Sequence, residues 1–311
     1  MHGLIQGLSI RGDDMTSQEA RVSRRMELEL RLKDLKYALW LLSRNKLIVL
    51  GFGIAVFYII LAIIGPFIVD PKIAESVNYA NQHKPPSWKY IFGTDDIGRD
   101  LLSMIVLGAR YDLWIAGTVV FLALSIGILV GSISGYIGGK IDELFMRVTD
   151  VFLAFPGLIL AMAITEVLGR SFTNLMLALV IIWWSGYARI MRGQFLAEKE
   201  KPYVQAAKVL GIPSWRIILR HVLPNSIYPL LVVATLDIGG VMLTAAALSF
   251  IGLGPSPFEP EWGQLAARGS SYIFQAPWEV LFPGLAILFA SLGFNLVGDG
   301  LRDVLDPRLR R

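Results

Sequence analysis

The chain has 311 residues, 54% of them hydrophobic and 17% charged, with a formal net charge of +4 and no cysteine. Soluble domains carry about 25% charged residues, so this balance, with a mean hydropathy of +0.57, points to a polytopic membrane protein. The absence of cysteine excludes disulfides, thiolate metal sites and cysteine nucleophiles, and a small positive charge on a membrane chain gives no ground for nucleic-acid binding.

Residues 1–46 are polar and charged, and the first apolar run begins at Leu47. No small-residue cleavage site follows it, so it reads as a retained span and not as a signal peptide. Within this cytoplasmic tail, residues 26–46 mix cations with Leu, Tyr and Trp. That composition suits an amphipathic helix lying at the interface or an extension of the first span. A bilayer core takes about 20 apolar residues per helix. Six runs qualify, near 47–69, 113–136, 148–168, 172–191, 228–251 and 279–297. Backbone groups in lipid must be satisfied within the segment, which makes the fold all-α with six transmembrane helices over residues 47–300. With the N-terminus inside, 22 of the 29 Lys and Arg fall in cytoplasmic segments and 7 outside. The bias places both termini, including the tail 301–311, and the loop 193–227 in the cytoplasm.

The outer loop 70–112 contains the compact run FGTDDIGRD (92–100). Clustered Gly and Asp favour a tight hydrogen-bonded turn. A calcium site is the alternative, but the spacing is not that of an EF-hand and Arg99 would repel a cation. The second outer loop, 252–278, is rich in proline, which argues for a rigid loop or short helix. Its aromatics Phe258, Trp262, Tyr272 and Trp278 suit the membrane interface.

The stretch YVQAAKVLGIPSWRIILRHVLPN (203–225) is a polar island between spans. Pro202 stands at a first helical position and Gly211 where that helix should stop; Pro213 restarts a helix and Pro224 limits it. Tyr203, Ala206, Ala207 and Leu210 share one face of the first helix. Two short helices meeting at Gly211 form a rigid elbow.

Enzymatic motifs are lacking. His2, His83 and His221 are scattered, and neither HExxH nor Gly-x-Ser-x-Gly occurs. GYIGGK (135–140) is one residue short of a phosphate loop and is followed by Ile141. No residue is read as catalytic or as a metal ligand. Asp237, inside the fifth span, is a candidate functional group because ionisable residues in spans are expensive. It could contact substrate or couple to protons, or it could pair within the bundle with a hydroxyl such as Thr235 or with a neighbouring subunit. Glu166, Asp150 and Asp299 fall near span ends, where water reaches them. Gly127, Gly131 and Gly135 keep one helix face bare for close packing within the chain or, alternatively, at a dimer face.

Gln205-Ala206-Ala207-x-x-x-Gly211 followed by Leu223-Pro224 resembles the EAA loop of ABC-importer permeases. FGTDDIGRD (92–100), GYIGGKID (135–142), RHVLPN (220–225), LSFIGLG (248–254), Trp262-Gly263 and GDGLRDVLDP (298–307) narrow the resemblance to the C-type subunit of the dipeptide/oligopeptide permease family. The resemblance implies a type I ABC importer permease fold. It also implies a second homologous permease, two cytoplasmic subunits that bind ATP and Mg, and an extracellular substrate-binding protein, with no cofactor on this chain. By the same resemblance, Tyr203, Gln205, Ala206, Ala207, Leu210, Gly211, Leu223 and Pro224 couple to the ATPases. Gly93, Asp95, Gly98, Arg99, Asp100, Gly254, Trp262 and Gly263 belong to loops facing the binding protein. Gln205 departs from the family's usual Glu, and the family often has an acidic residue near Thr244 that is absent here, beside Asp237. Cargo in the family is di- and oligopeptides, with nickel, glutathione and oligosaccharides in similar permeases. A proton-coupled secondary carrier and a membrane scaffold are the competing functional classes.

Overall fold

A computed structural model describes residues 45–256 and 258–305, without the side chains of the last two. The interfacial helix expected over 26–46 and most of the tail 301–311 lie outside the described residues. Asn45 opens α1 (Lys46–Ile68) by accepting a hydrogen bond from the Leu47 amide at 3.0 Å. A loop with two short 3-10 turns, Pro71–Ala74 and Tyr79–Asn81, leads to α2 (Leu101–Ile137). Asp100 caps α2 through the Ser103 amide at 2.9 Å. At 1.5 Å per residue α2 is about 55 Å long, well beyond a hydrocarbon core of about 30 Å. It therefore begins a dozen residues before the apolar run that predicts a span at 113–136: hydropathy marks the lipid-embedded part, and the Asp100 cap marks the helix.

The third span departs from expectation. In place of one helix over 148–168 there are two, α3 (Gly139–Ala154) and α4 (Gly157–Leu168), bent by 93°. Pro156 removes a backbone donor, and Phe155 before it takes an extended conformation (φ −85°, ψ 141°), as the residue before a proline tends to. The twelve-residue α4 rises only about 18 Å, too little to cross a bilayer by itself. Single helices carry the other runs: α5 (Phe172–Lys199), α9 (Tyr228–Leu248) extended by a wide turn at Ser249–Leu253, and α11 (Trp278–Leu305). Between them lie α6 (Pro202–Val209), α7 (Ser214–Ile217) and α8 (Leu223–Ser226) in the elbow, and α10 (Trp262–Ser270) in the second long loop. The proline-rich loop thus holds a short helix. Among the described residues there is no strand, only an isolated bridge between Thr94 and Asp100.

The tightest seam is α2 against α5. A Cβ placed on Gly127, Gly131 or Gly135 would lie 2.4 Å from the Tyr187 Cβ, 2.5 Å from the Ala188 carbonyl oxygen or 2.7 Å from the Phe195 Cβ. Bare glycines let the two backbones meet, which is the intramolecular use of the stripe. α11 packs between α1 and α9, with the Ser291 hydroxyl donating to the Gly239 carbonyl at 3.0 Å. The main core runs through these helices, and a separate cluster of Met191, Phe195, Val204, Ala207, Ile217, Val222 and Leu230 serves the elbow.

Candidate functional site

The elbow is built as a rigid knob. Pro202 begins α6, and Gly211 ends it in the left-handed region at φ +72°. The Gly211 amide donates to the Lys208 carbonyl at 3.0 Å and the Ile212 amide to Ala207 at 3.1 Å, the paired closure that a glycine just past a helix end permits. Pro224 does not limit the second helix as expected. The chain runs from α7 through a wide π turn at Ile218–Val222, closed by the Leu223 amide on the Ile218 carbonyl, and continues into α8 with Pro224 in its first turn. The wider turn accommodates a residue that lacks the usual donor.

Side chains tie the knob to the end of α5. Lys201 Nζ lies 2.6 Å from the buried Glu198 carboxylate, which also accepts from the Tyr203 hydroxyl. Burial first, and the Glu198 carboxylate second, push the Tyr203 phenol up to about 12, so it remains a donor. Asn225 Nδ2 donates to the His221 carbonyl at 2.6 Å. Gln205 Nε2 donates to the Lys199 carbonyl, the last residue of α5, at 3.0 Å. A glutamate there has no proton to give, so the departure from the family pattern has a structural use.

The face expected to meet a partner is divided. Ala207 is buried with Val204 against the elbow's own core, while Tyr203, Ala206 and Leu210 are exposed and Leu223 is half-buried. Adjacent helical residues lie about 100° apart, so a short helix packed on a body turns one of the two alanines inward and leaves the other outside. The exposed tip instead gains Val209, Trp215 and Leu219, with Arg216 5.3 Å above the Trp215 ring. None of these three was legible as a site, because in sequence they read as ordinary amphipathic filler.

At the opposite end, the loops 70–100 and 252–278 close into a cap. Six of the eight residues expected to face a partner there, namely Gly93, Asp95, Arg99, Gly254, Trp262 and Gly263, are buried, and Gly98 and Asp100 are half-buried. They hold the cap together. Asp95 accepts from the Ile97 and Arg99 amides at 3.1 and 2.8 Å and from Arg99 Nε at 2.6 Å, while Arg99 Nη1 reaches the Ala74 carbonyl at 2.8 Å. The turn is thus an internal ion-paired one. Among the described residues no group of acidic and histidine side chains is arranged to hold a metal. Trp262, expected at the interface, is fully buried; its amide donates to Asp112 at 3.1 Å and its indole to the Ile105 carbonyl at 2.9 Å. Glu261 beside it caps α10 through the Gly263 and Gln264 amides, and burial raises its carboxyl. Arg268–Asp96 at 2.7 Å joins the two loops, and His83–Glu279 at 2.7 Å ties the first loop to the start of α11. Among the side chains the cap presents outward are Tyr79, Trp88, Phe258 and Phe274.

Between these ends, α4, α5 and α9 line an open pocket of about 440 Å³ whose border includes Trp183, Tyr187, Asp237 and Thr244. The hydroxyl expected to pair with Asp237 is used elsewhere, since Thr235 Oγ1 donates to the Leu231 carbonyl at 2.9 Å. Thr244 Oγ1 likewise donates to Gly240 at 2.8 Å. The neighbours of the Asp237 carboxylate are the Tyr187 hydroxyl and the Trp183 indole. Their i, i+4 spacing on one helix face was the available signal. Asp150 pairs with Arg189 near the elbow end, and Glu166 is exposed.

Residues 127–311 match the family of binding-protein-dependent transport system inner membrane components, and residues 35–86 match the N-terminal transmembrane domain of oligopeptide transport permease C. The chain belongs to this family of permeases. The permease is 43% identical over 269 residues to the dipeptide transport system permease protein of Alkalihalophilus pseudofirmus, covering 86% of this chain and 88% of that one. It is 40% identical over 268 residues to the oligopeptide transport system permease protein of Bacillus subtilis, covering 86% and 87%. In fold the permease resembles a chain of the MetNI methionine ABC transporter, with a TM-score of 0.55 at 18% identity over 66% of this chain and 98% of that one. It is an all-α, multi-pass inner-membrane protein of the ABC importer permease fold.

Proposed function

We propose that this permease forms one half of the translocation pathway of an ATP-driven importer of di- and oligopeptides. Its counterpart half is a second, homologous permease. Two cytoplasmic ATPase subunits bind ATP and Mg and hydrolyse the nucleotide, a binding protein delivers the peptide from outside, and this chain carries no cofactor. The elbow, on the cytoplasmic side by the distribution of Lys and Arg, docks on an ATPase through Tyr203, Ala206, Leu210 and the added tip residues Val209, Trp215 and Leu219. Ala207, Gly211, Leu223 and Pro224 keep its shape, and Gln205 ties it to α5. The names of the relatives support the peptide cargo.

The observation that carries this reading is the construction of the elbow. It has a core of its own, ties to α5, and an apolar tip turned away from the body. A linker between spans needs none of these, whereas a part that transmits force must be stiff and must offer a partner something to grip. The test is uptake of dialanine into vesicles holding the complete complex, with ATP inside and binding protein outside. Proline cannot adopt the φ of Gly211, so Gly211→Pro is expected to lower uptake about tenfold or more while ATP hydrolysis continues. Leu210→Asp, on the exposed tip, is expected to weaken ATPase docking without disturbing the fold. Unchanged docking and uptake in both variants would refute the coupling role, and uptake by this chain alone on a proton gradient would favour a secondary carrier.

A further inference from the structure

Asp237 is a carboxylate at membrane depth without a cation. Among the described residues no ion pair involves it, and it is the sole charged group bordering its pocket. Intramembrane carboxylates are costly and are ordinarily paired. The hydroxyls of Thr235 and Thr244 on the same helix are committed to backbone carbonyls. The Tyr187 hydroxyl, on a residue only 1% exposed, neighbours the carboxylate yet closes no hydrogen bond of normal geometry. Buried hydroxyls are normally satisfied. An acidic group and the buried hydroxyl beside it therefore stand together at the edge of an open pocket of about 440 Å³, within the range of small-ligand sites. The remaining wall is mostly apolar, including Leu158, Ile182, Val233 and Leu243.

We propose that Asp237, Tyr187 and Trp183 form a site for a primary ammonium group, whose ligand in transport is the amino terminus of the peptide. An ammonium has three donors and no acceptor, so it can give one proton to the carboxylate and another to the Tyr187 oxygen. Its charge is also favoured beside an indole ring. The mostly apolar wall makes no directed polar contact to a side chain, so the site fixes the one feature every unmodified peptide shares. This inference rests on the peptide-import reading for its ligand, but not for its chemistry.

Two measurements on the complete complex test it. In vesicles, Asp237→Asn, which keeps the shape of the side chain, is expected to lower dialanine uptake about tenfold or more, with Asp237→Glu retaining more than Asp237→Asn. Co-purification of the complete complex should match wild type in both. In detergent without binding protein, Trp183 emission, taken as the difference between wild type and Trp183→Phe, should respond to dialanine and to propylammonium but not to N-acetyl-dialanine or propanol. Uptake unaffected by Asp237→Asn overturns the proposal, as does equal emission response to the amine and its neutral counterpart. Loss of complex assembly in Asp237→Asn also overturns it and assigns the carboxylate to subunit packing. A wild-type complex that responds to propylammonium but takes up no dialanine keeps the ammonium site and defeats the peptide reading alone.

Discussion

Arg99 lies with its side chain fully buried, held between the Asp95 carboxylate and the Ala74 carbonyl. Burial lowers its basicity, and Asp95 opposes that effect. Removing one member of a buried pair leaves the other charged and unpaired, at about 3–5 kcal/mol. Arg99→Ala is therefore expected to destabilise the cap by that amount, read as a lowered thermal midpoint of the purified protein and as earlier proteolysis in residues 70–100. Gln205 acts on a smaller scale. Gln205→Glu loses the donation to Lys199 and places an anion beside Glu200, which should weaken the α5–α6 junction by about 1 kcal/mol. Faster hydrogen exchange confined to residues 199–210 is the expected sign. In sequence both residues were singled out, but as contacts for other proteins. Only their burial and partners assign them to this chain's interior, because a motif reports that a residue matters and not which surface it serves.

At the scale of elements, the α2–α5 seam depends on the absence of side chains. Gly131→Ala would press a Cβ against the Ala188 carbonyl at 2.5 Å, and overpacking of that kind costs about 1–3 kcal/mol. Gly117, in the same helix with nothing within 4 Å of an added Cβ, serves as the control. Gly117→Ala should be neutral or stabilising by up to about 1 kcal/mol. Thermal unfolding of the two variants side by side checks the contrast, and equal losses would count against seam packing. The glycine period made this seam legible in the sequence. The α3–α4 bend was not, since an apolar window averages across a proline, here Pro156, that breaks it.

The whole molecule has two distinct ends, a cap knit from two loops and an elbow with a separate core, joined by helices as long as α2. The Lys and Arg bias predicts a cytoplasmic elbow. Because the chain has no native cysteine, single cysteines report on sidedness directly. Trp88→Cys is expected to react with a membrane-impermeant thiol reagent in intact cells, and Leu210→Cys only after the membrane is opened. Both positions are exposed in the fold, so the reverse pattern would invert the orientation and with it the assignment of the elbow.

The sequence by itself determined the fold class, the family and the position of the elbow along the chain, because these rest on apolar run length and spaced motifs that are local along the chain. Tertiary structure decided which alanine faces inward, that most of the cap's motif residues are scaffold, and that Trp183, Tyr187 and Asp237 share one pocket. Those facts depend on helices separated by some 50 residues in the chain packing at a particular rotation, and no local pattern specifies that rotation.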